Sequence, residues 1–456
     1  MHSSWLSSLR RFLEHRLKDL ETQKILANMG WLLADRVLRV LVSLLLGAWV
    51  ARYLGPDQFG KLNYAIALVS LFSVFATLGL EEIVIRDLVA YPQKKDKIIN
   101  TCLFLRLIST LISVGIISVI LWLTHSGDTL LQKIIFLVAL ILIPQSIIDT
   151  IDLWFKSQVN SKTSVIIKDI CLIFSSFLKI ILLLYQAPLL AFIVVILFEV
   201  TVAALALVWF YSCQSNRISL QAIDLSTARR LIKDGWPMIL SGLAVVIYTR
   251  VDQVMLGVLA GHGAVGLYSA ATKISEAWNF IPIIVVSSLY PKIVASRQGD
   301  NSIFHRNIQN LYNLMVVLSY AVALFFILFS GVLVSLIYGP QYTDTAHILP
   351  ILMGTSLFSS LGMARGSFLM TMNWATLQLV TVAIACLVNV GLNYLLIPRY
   401  GGYGAAVATL LSQGLAVYGL CFCFPRLRQT GAMITRAITL AWVLDFGFWH
   451  RFWHRY

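Results

Sequence analysis

Charge is scarce in this sequence and unevenly signed: only 12% of its 456 residues are Asp, Glu, Lys or Arg, and 21 acids stand against 35 bases. A soluble fold of this length needs a hydrated exterior. With 59% hydrophobic residues there is too little polar surface to build one. Long polar segments are missing as well, which leaves no room for an extramembrane catalytic or nucleic-acid-binding domain. The six cysteines (Cys102, Cys171, Cys213, Cys386, Cys421 and Cys423) lack the paired spacing of a zinc site or a disulfide framework, and they read as small packing residues. There is no Gly-x-x-x-x-Gly-Lys-Ser/Thr loop, so ATP hydrolysis by this chain is not expected, and no cofactor or metal is implied.

What the chain has instead is apolar length. Its mean hydropathy is +0.82, and apolar stretches of roughly 20 residues recur, enough to cross a ~30 Å hydrocarbon core at ~1.5 Å per residue. The stretches fall at 28–53, 62–80, 98–123, 131–155, 164–186, 188–212, 231–259, 265–290, 307–337, 346–372, 375–397 and 402–424. The expected fold is an all-α integral membrane protein of about twelve transmembrane helices. Ahead of them, residues 1–27 carry Arg10, Arg11, Arg16, Lys18 and Lys24, with Trp5, Leu9, Phe12, Leu13 and Leu17 at helical spacing. That pattern suits an amphipathic helix lying on an anionic membrane face. The tail, 425–456, is read as cytoplasmic or surface-lying, since the apolar stretch 431–449 is interrupted by Arg436 and Asp445.

Assigning loops to alternate sides places 24 Lys and Arg on the side of the N-terminus and 4 on the other. Cytoplasmic loops accumulate positive residues, so both termini are expected in the cytoplasm of a cell inner membrane. Most of the +14 net charge is therefore topology, and nucleic acid need not be invoked.

A weak internal repeat supports two halves. Leu54-Gly55-Pro56-Asp57-Gln58-Phe59-Gly60 has an echo 206 residues on, Ala260-Gly261-His262-Gly263-Ala264-Val265-Gly266, which keeps both glycines in register. The expected domains are an N-lobe over 28–212, an inter-lobe linker over 213–230 and a C-lobe over 231–424, six helices in each lobe. In duplicated transporters of this kind the substrate lies between the bundles and access alternates by rocking.

Seven bases remain inside the spans: Arg36, Arg39, Arg106, Lys179, Arg250, Lys273 and Arg365. Each would cost about 2.5–3.5 kcal/mol at a helix centre facing lipid, so each must face protein or water. Arg36 and Arg39 share a face of the first helix, Arg250 and Asp252 lie in the seventh, and Lys273 and Glu276 are one turn apart in the eighth. A pyrophosphate matches the planar fork of Arg, so Arg36, Arg39, Arg250 and Lys273 are the candidate substrate-binding cations. Six intramembrane acids could instead neutralise every base in structural ion pairs. Asp35, Asp252 and Glu276 are those placed to act as coupling or ion-pair partners. Arg365 reads as a residue near the cytoplasmic end of the tenth helix, and Arg106 as one that snorkels to the cytoplasmic side.

On the Leu54–Gly60 turn, on Arg250-Val251-Asp252-Gln253-Val254-Met255-Leu256-Gly257 and on Tyr400-Gly401-Gly402-Tyr403-Gly404-Ala405-Ala406, the chain resembles the polysaccharide-biosynthesis flippases that export O-antigen-type repeat units. They belong to the multidrug/oligosaccharidyl-lipid/polysaccharide exporter superfamily, which also holds the multidrug-and-toxin exporters and the lipid II flippase. The resemblance covers about residues 25–425. It implies a V-shaped pair of six-helix lobes around a cationic cavity. It also implies a polyprenyl-pyrophosphate-linked oligosaccharide as substrate, no catalysis, and a polymerase and glycosyltransferases as pathway neighbours. The tail is shorter than in the longer members. A cation-coupled multidrug exporter is the alternative, and a cavity dominated by acids would favour it.

Overall fold

A computed structural model describes residues 20–440, apart from 125–127, 215–217, 220–221, 298–300 and 373. The expected surface helix over 1–27 lies mostly outside these residues, as do residues 441–449 of the apolar tail stretch. Every regular element among the described residues is helical. A bilayer demands this of spanning segments, because no water is present to satisfy an open backbone.

The first helix, α1 (Leu20–Thr77), is broken at Gly55, whose φ of 73° and ψ of 169° precede Pro56. A residue with a Cβ is strained at that φ, and the residue before proline is steered away from the helical region. The result is two helical arms joined by a sharp corner. At α13 (Ala375–Gly414) the break falls at Gly401, with Pro398 a turn earlier.

The chain divides into two compact units, Met1–Leu46 with Leu68–Leu243, and Gly47–Ala67 with Ala244–Tyr456. The first holds α2 (Glu81–Ala90), α3 (Lys95–Thr124), α4 (Thr129–Leu140), α5 (Leu142–Ser157), α6 (Lys162–Leu184), α7 (Leu189–Cys213) and the start of α8 (Leu225–Leu259). Its core joins Leu80, Val84, Ile99, Ile151, Leu207 and Tyr211. The stretch before α8 is pinned to α3, because the Ser219 and Asp224 N–H groups donate to Asn100 Oδ1 and Thr101 Oγ1 at 2.9 and 3.0 Å. Asp224 then caps α8, accepting from the Thr227 N–H at 3.2 Å and from both nearby hydroxyls. Those donors hold its carboxyl well below the usual carboxylate range.

The second unit holds the rest of α8, α9 (His262–Trp278), α10 (Phe280–Arg297), α11 (Asn301–Tyr338), α12 (Thr345–Thr371), α13, α14 (Leu420–Cys423) and α15 (Arg428–Ile438). Its core gathers Ile308, Tyr312, Met315, Leu361, Leu369 and Cys421. The repeat seen in sequence becomes geometry here. Gly261, the echo of Gly55, adopts nearly the same backbone, φ 85° and ψ 170°. A Cβ on Gly60 would sit 1.7 Å from the His262 carbonyl oxygen, and one on Gly266 would sit 2.0 Å from that of Pro56. His262 is the echo of Pro56, so the two copies of the turn grip each other reciprocally.

Eight stretches among the described residues are long and apolar enough to cross a membrane, including Gly30–Ala90 at 61 residues and Thr376–Cys423 at 48. These two contain the glycine breaks and are each longer than one crossing needs at about 20 residues. The sequence-expected spans 164–186 and 265–290 are not among the eight; the first carries Lys168, Asp169 and Lys179.

Candidate functional site

Within the first unit the intramembrane charges are largely matched. Arg39 donates to Asp35 at 2.6 Å and to Asp169 at 3.5 Å. Lys168 pairs with Asp152 at 2.6 Å, and Lys179 with Glu199 at 3.0 Å. Ser164 and Ser175 add hydroxyl donors to those two acids. Arg39, Asp152, Lys168 and Glu199 thus line one polar cavity of about 240 Å³ with Asp149 and Gln145. Arg106 does not snorkel; it is buried and donates to the Thr77 carbonyl at 3.2 Å and to Thr150 Oγ1 at 3.4 Å. A larger cavity, about 610 Å³, lies beside it and is walled by Glu81, Glu82, Asp149, Asp152 and Lys156.

Arg36 differs from its neighbours. It lies six residues, roughly 9 Å, into the Gly30–Ala90 stretch, is exposed, and makes no ion pair among the described residues. An unpaired guanidinium at that depth needs water or an anion beside it.

In the second unit Arg250 pairs with Glu276 at 3.2 Å, both partly exposed. Lys273, one turn before Glu276, points elsewhere, with its ammonium 4.6 Å from the centre of the Phe59 ring. Asp252, two residues from Arg250, turns away from it and is buried. It accepts from Tyr268 at 2.9 Å, Asn393 at 2.6 Å and Thr409 at 2.5 Å. The structure therefore brings Arg250, Glu276 and Lys273 into one neighbourhood and puts Asp252 in a separate polar nest.

Arg365 lies six residues before the end of α12, close to where the sequence reading put it, but its side chain is fully buried and is not free to snorkel. Its guanidinium donates to the Ala416 and Val417 carbonyls at 2.7 and 3.2 Å, and to Gln378 and Thr381 at 3.1 and 2.9 Å. The backbone just past α13, Leu415–Gly419, is a π-helical turn, which frees carbonyls that a regular α-helix would use internally. No local signal in the sequence announces such a turn. Asp252 and Arg365 both line a cavity of about 440 Å³ within this unit, together with Glu276, Tyr248, Phe358 and Gln413.

A family model described as polysaccharide biosynthesis protein matches residues 25–297, more than half of the chain. The chain belongs to that family. The matched region includes Arg36, Arg39, Arg250 and Lys273. The family comprises membrane transport proteins of polysaccharide biosynthesis rather than enzymes. Among curated relatives, a protein called a putative O-antigen transporter from Shigella flexneri is 24% identical over 84% of this chain and 94% of its own length. A probable low-salt glycan biosynthesis flippase from Haloferax volcanii is 25% identical over 42% of this chain and 41% of its own. The fold matches an inward-facing multidrug resistance transporter of the MATE family with a TM-score of 0.66, at 14% identity, over 90% of this chain and 96% of that one. It matches the lipid II flippase MurJ with a TM-score of 0.64, also at 14% identity, over 92% and 93%. The resemblance read from the sequence is upheld at the level of family and fold, and the chain is a multi-pass membrane protein.

Proposed function

We propose that this protein flips a polyprenyl-pyrophosphate-linked oligosaccharide across the cell inner membrane, for surface polysaccharide synthesis, by alternating access between two six-helix lobes. On this reading the chain crosses the bilayer twelve times with both termini in the cytoplasm, and a polymerase and glycosyltransferases work beside it. Arg36 carries the proposal: an exposed guanidinium with no ion-pair partner among the described residues, inside an apolar helix of a polysaccharide-biosynthesis transporter, is suited to a pyrophosphate. Among the described residues Arg250 pairs with Glu276 and Lys273 forms no ion pair and lies over the Phe59 ring, which leaves the two cations with a net positive charge. Arg39 is held by two carboxylates and serves as a weaker candidate. In cells carrying only the variant gene, Arg36→Ala and Arg250→Ala are expected to cut surface polysaccharide at least tenfold and to build up the lipid-linked intermediate. Normal export by both variants would sink the pyrophosphate role.

Asp252 suits a coupling site, since it is buried, has three donors and lacks a cationic partner at ion-pair distance among the described residues. Asp252→Asn should flip substrate at the same rate with and without an imposed proton or sodium gradient; retained gradient dependence would remove Asp252 from that role.

A second reading has one observation in its favour. Asp252 and Glu276 line the 440 Å³ cavity and Arg250 does not, the pattern expected of a cation-coupled multidrug exporter. Resistance to organic cations conferred by this gene in a sensitive host would support it.

A further inference from the structure

We propose that the end of the second unit where α10 gives way to α11 and where α15 begins is a binding surface for anionic phospholipid, held through its phosphate by arginine. This does not depend on the flippase reading. Four exposed arginines gather there: Arg297 closes α10, Arg306 lies in the second turn of α11, and Arg426 and Arg428 flank the buried Leu427 at the start of α15. One core ties these elements together, since Ile293, Phe304, Ile308, Leu427 and Ile434 all pack in it. α15 runs along α11, with Gln309 donating to the Met433 carbonyl and Tyr320 to that of Ile438, both at 3.0 Å. That direction brings the beginning of α15 back to the beginning of α11.

None of the four arginines forms an ion pair among the described residues, and the sequence gives the reason. Between Glu276 and Asp445 it has two acids, Asp300 and Asp344. Asp344 precedes α12 and lies roughly 36 Å along that helix from Phe368, which stacks on Phe304 at the arginine-bearing end. Asp300 is outside the described residues, so one carboxylate at most is available to four guanidinium groups. The first unit is different, because it mixes exposed bases with acids: Arg86 and Arg230 share Asp87, and Lys156 meets Glu81. In the second unit the countercharge has to come from outside the protein. Depth and neighbours select a lipid as its source. The apolar stretches Ser302–Tyr338 and Thr376–Cys423 begin and end here, which sets the arginines at headgroup level. Val294, Ile303 and Phe422 are exposed three or four residues from these arginines. A soluble anion or an acidic protein surface would answer the charge and leave those side chains bare. A phospholipid supplies both a phosphate for the guanidinium fork and an acyl chain for the apolar groups.

The test titrates the full-length protein with an equal mixture of phosphatidylglycerol and phosphatidylcholine of identical chains and counts the bound lipids by native mass spectrometry. Wild type should carry the anionic lipid in about fivefold excess or more. Replacing Arg306, Arg426 and Arg428 together with Gln should bring that ratio toward one, and Arg428→Gln alone should bring it partway. A control that replaces Lys97, Arg229 and Lys233 with Gln removes the same charge from exposed positions of the first unit and should keep the preference. Retained phosphatidylcholine binding and an unchanged melting temperature report intact folding, and if the triple variant does not fold, Arg428→Gln decides. A wild type without preference, or a preference that survives the arginine replacements, overturns the proposal. Equal loss in the control also overturns it, by reducing the effect to net charge. If a polyprenyl pyrophosphate displaces phosphatidylglycerol from wild type at equimolar concentration, and the arginine replacements abolish its binding, the surface belongs to the substrate and the proposal fails.

Discussion

Gly60→Ala and Gly266→Ala should each destabilise the protein by about 3 kcal/mol or more, seen as a lower melting temperature and a reduced yield of monodisperse protein in detergent. The cause is that no rotamer can relieve the clash. The new atom is Cβ itself, and it would stand 1.7 Å from the His262 carbonyl oxygen in one case and 2.0 Å from that of Pro56 in the other. Close helix approach through small residues is how membrane helices gain packing without a hydrophobic drive between them. Nearby packing offers little slack, since Tyr64 lies against Gly257 and its ring meets His262 at 5.1 Å. Because the two contacts belong to one reciprocal joint, the double variant should cost less than the sum of the singles. Gly263→Ala is the control: nothing lies within 4 Å of its added atom. Wild-type melting of Gly60→Ala would show that the joint does not exist as described.

Arg365→Met is expected to have the next largest effect. Removing the guanidinium lifts the desolvation cost of a buried cation, which favours the variant. Against that, the Ala416 and Val417 carbonyls lose a charged donor, and among the side chains of the described residues only the weak Cys421 thiol, which donates to Val417 at 3.1 Å, remains to one of them. Gln378 and Thr381 lose theirs as well. Leaving several buried acceptors unsatisfied outweighs the gain, and a net loss of about 3 kcal/mol is expected. Arg365→Lys should recover only part of it, because one ammonium cannot fork to both sets of acceptors. A Met variant as stable as wild type would mean that those carbonyls find other partners.

Much of the fold is legible in the sequence because a bilayer leaves few choices. Apolar length gives the helices, and glycine followed by proline or histidine marks the corners at Gly55 and Gly261. The repeat of those corners, weak as letters, foretells a matched pair of turns. The sequence counts 164–186 as a span although it carries Lys168, Asp169 and Lys179, and what it does not show is that Lys168 and Lys179 are matched by Asp152 and Glu199 on neighbouring helices.

The site is less legible, and the reason is distance along the chain. Arg39 shows its neighbour Asp35 in sequence, but Asp169 is 130 residues away. Asp252 stands beside Arg250 in the sequence, yet its partners Asn393 and Thr409 come from 141 and 157 residues on. Local spacing suggested a Lys273–Glu276 pair; Glu276 is instead engaged by Arg250. Arg36 is exposed and has no ion-pair partner among the described residues, a feature that local spacing in the sequence does not reveal.

The most direct test of the flippase account is reconstitution of the full chain in sealed liposomes with a fluorescent polyprenyl-pyrophosphate oligosaccharide, following the loss of label to a membrane-impermeant quencher. The account predicts that wild type exposes substrate from the inner leaflet much faster than protein-free liposomes do, and that Arg36→Ala reduces this to near the protein-free rate. Equal rates with and without the protein, or an Arg36→Ala rate matching wild type, would contradict it.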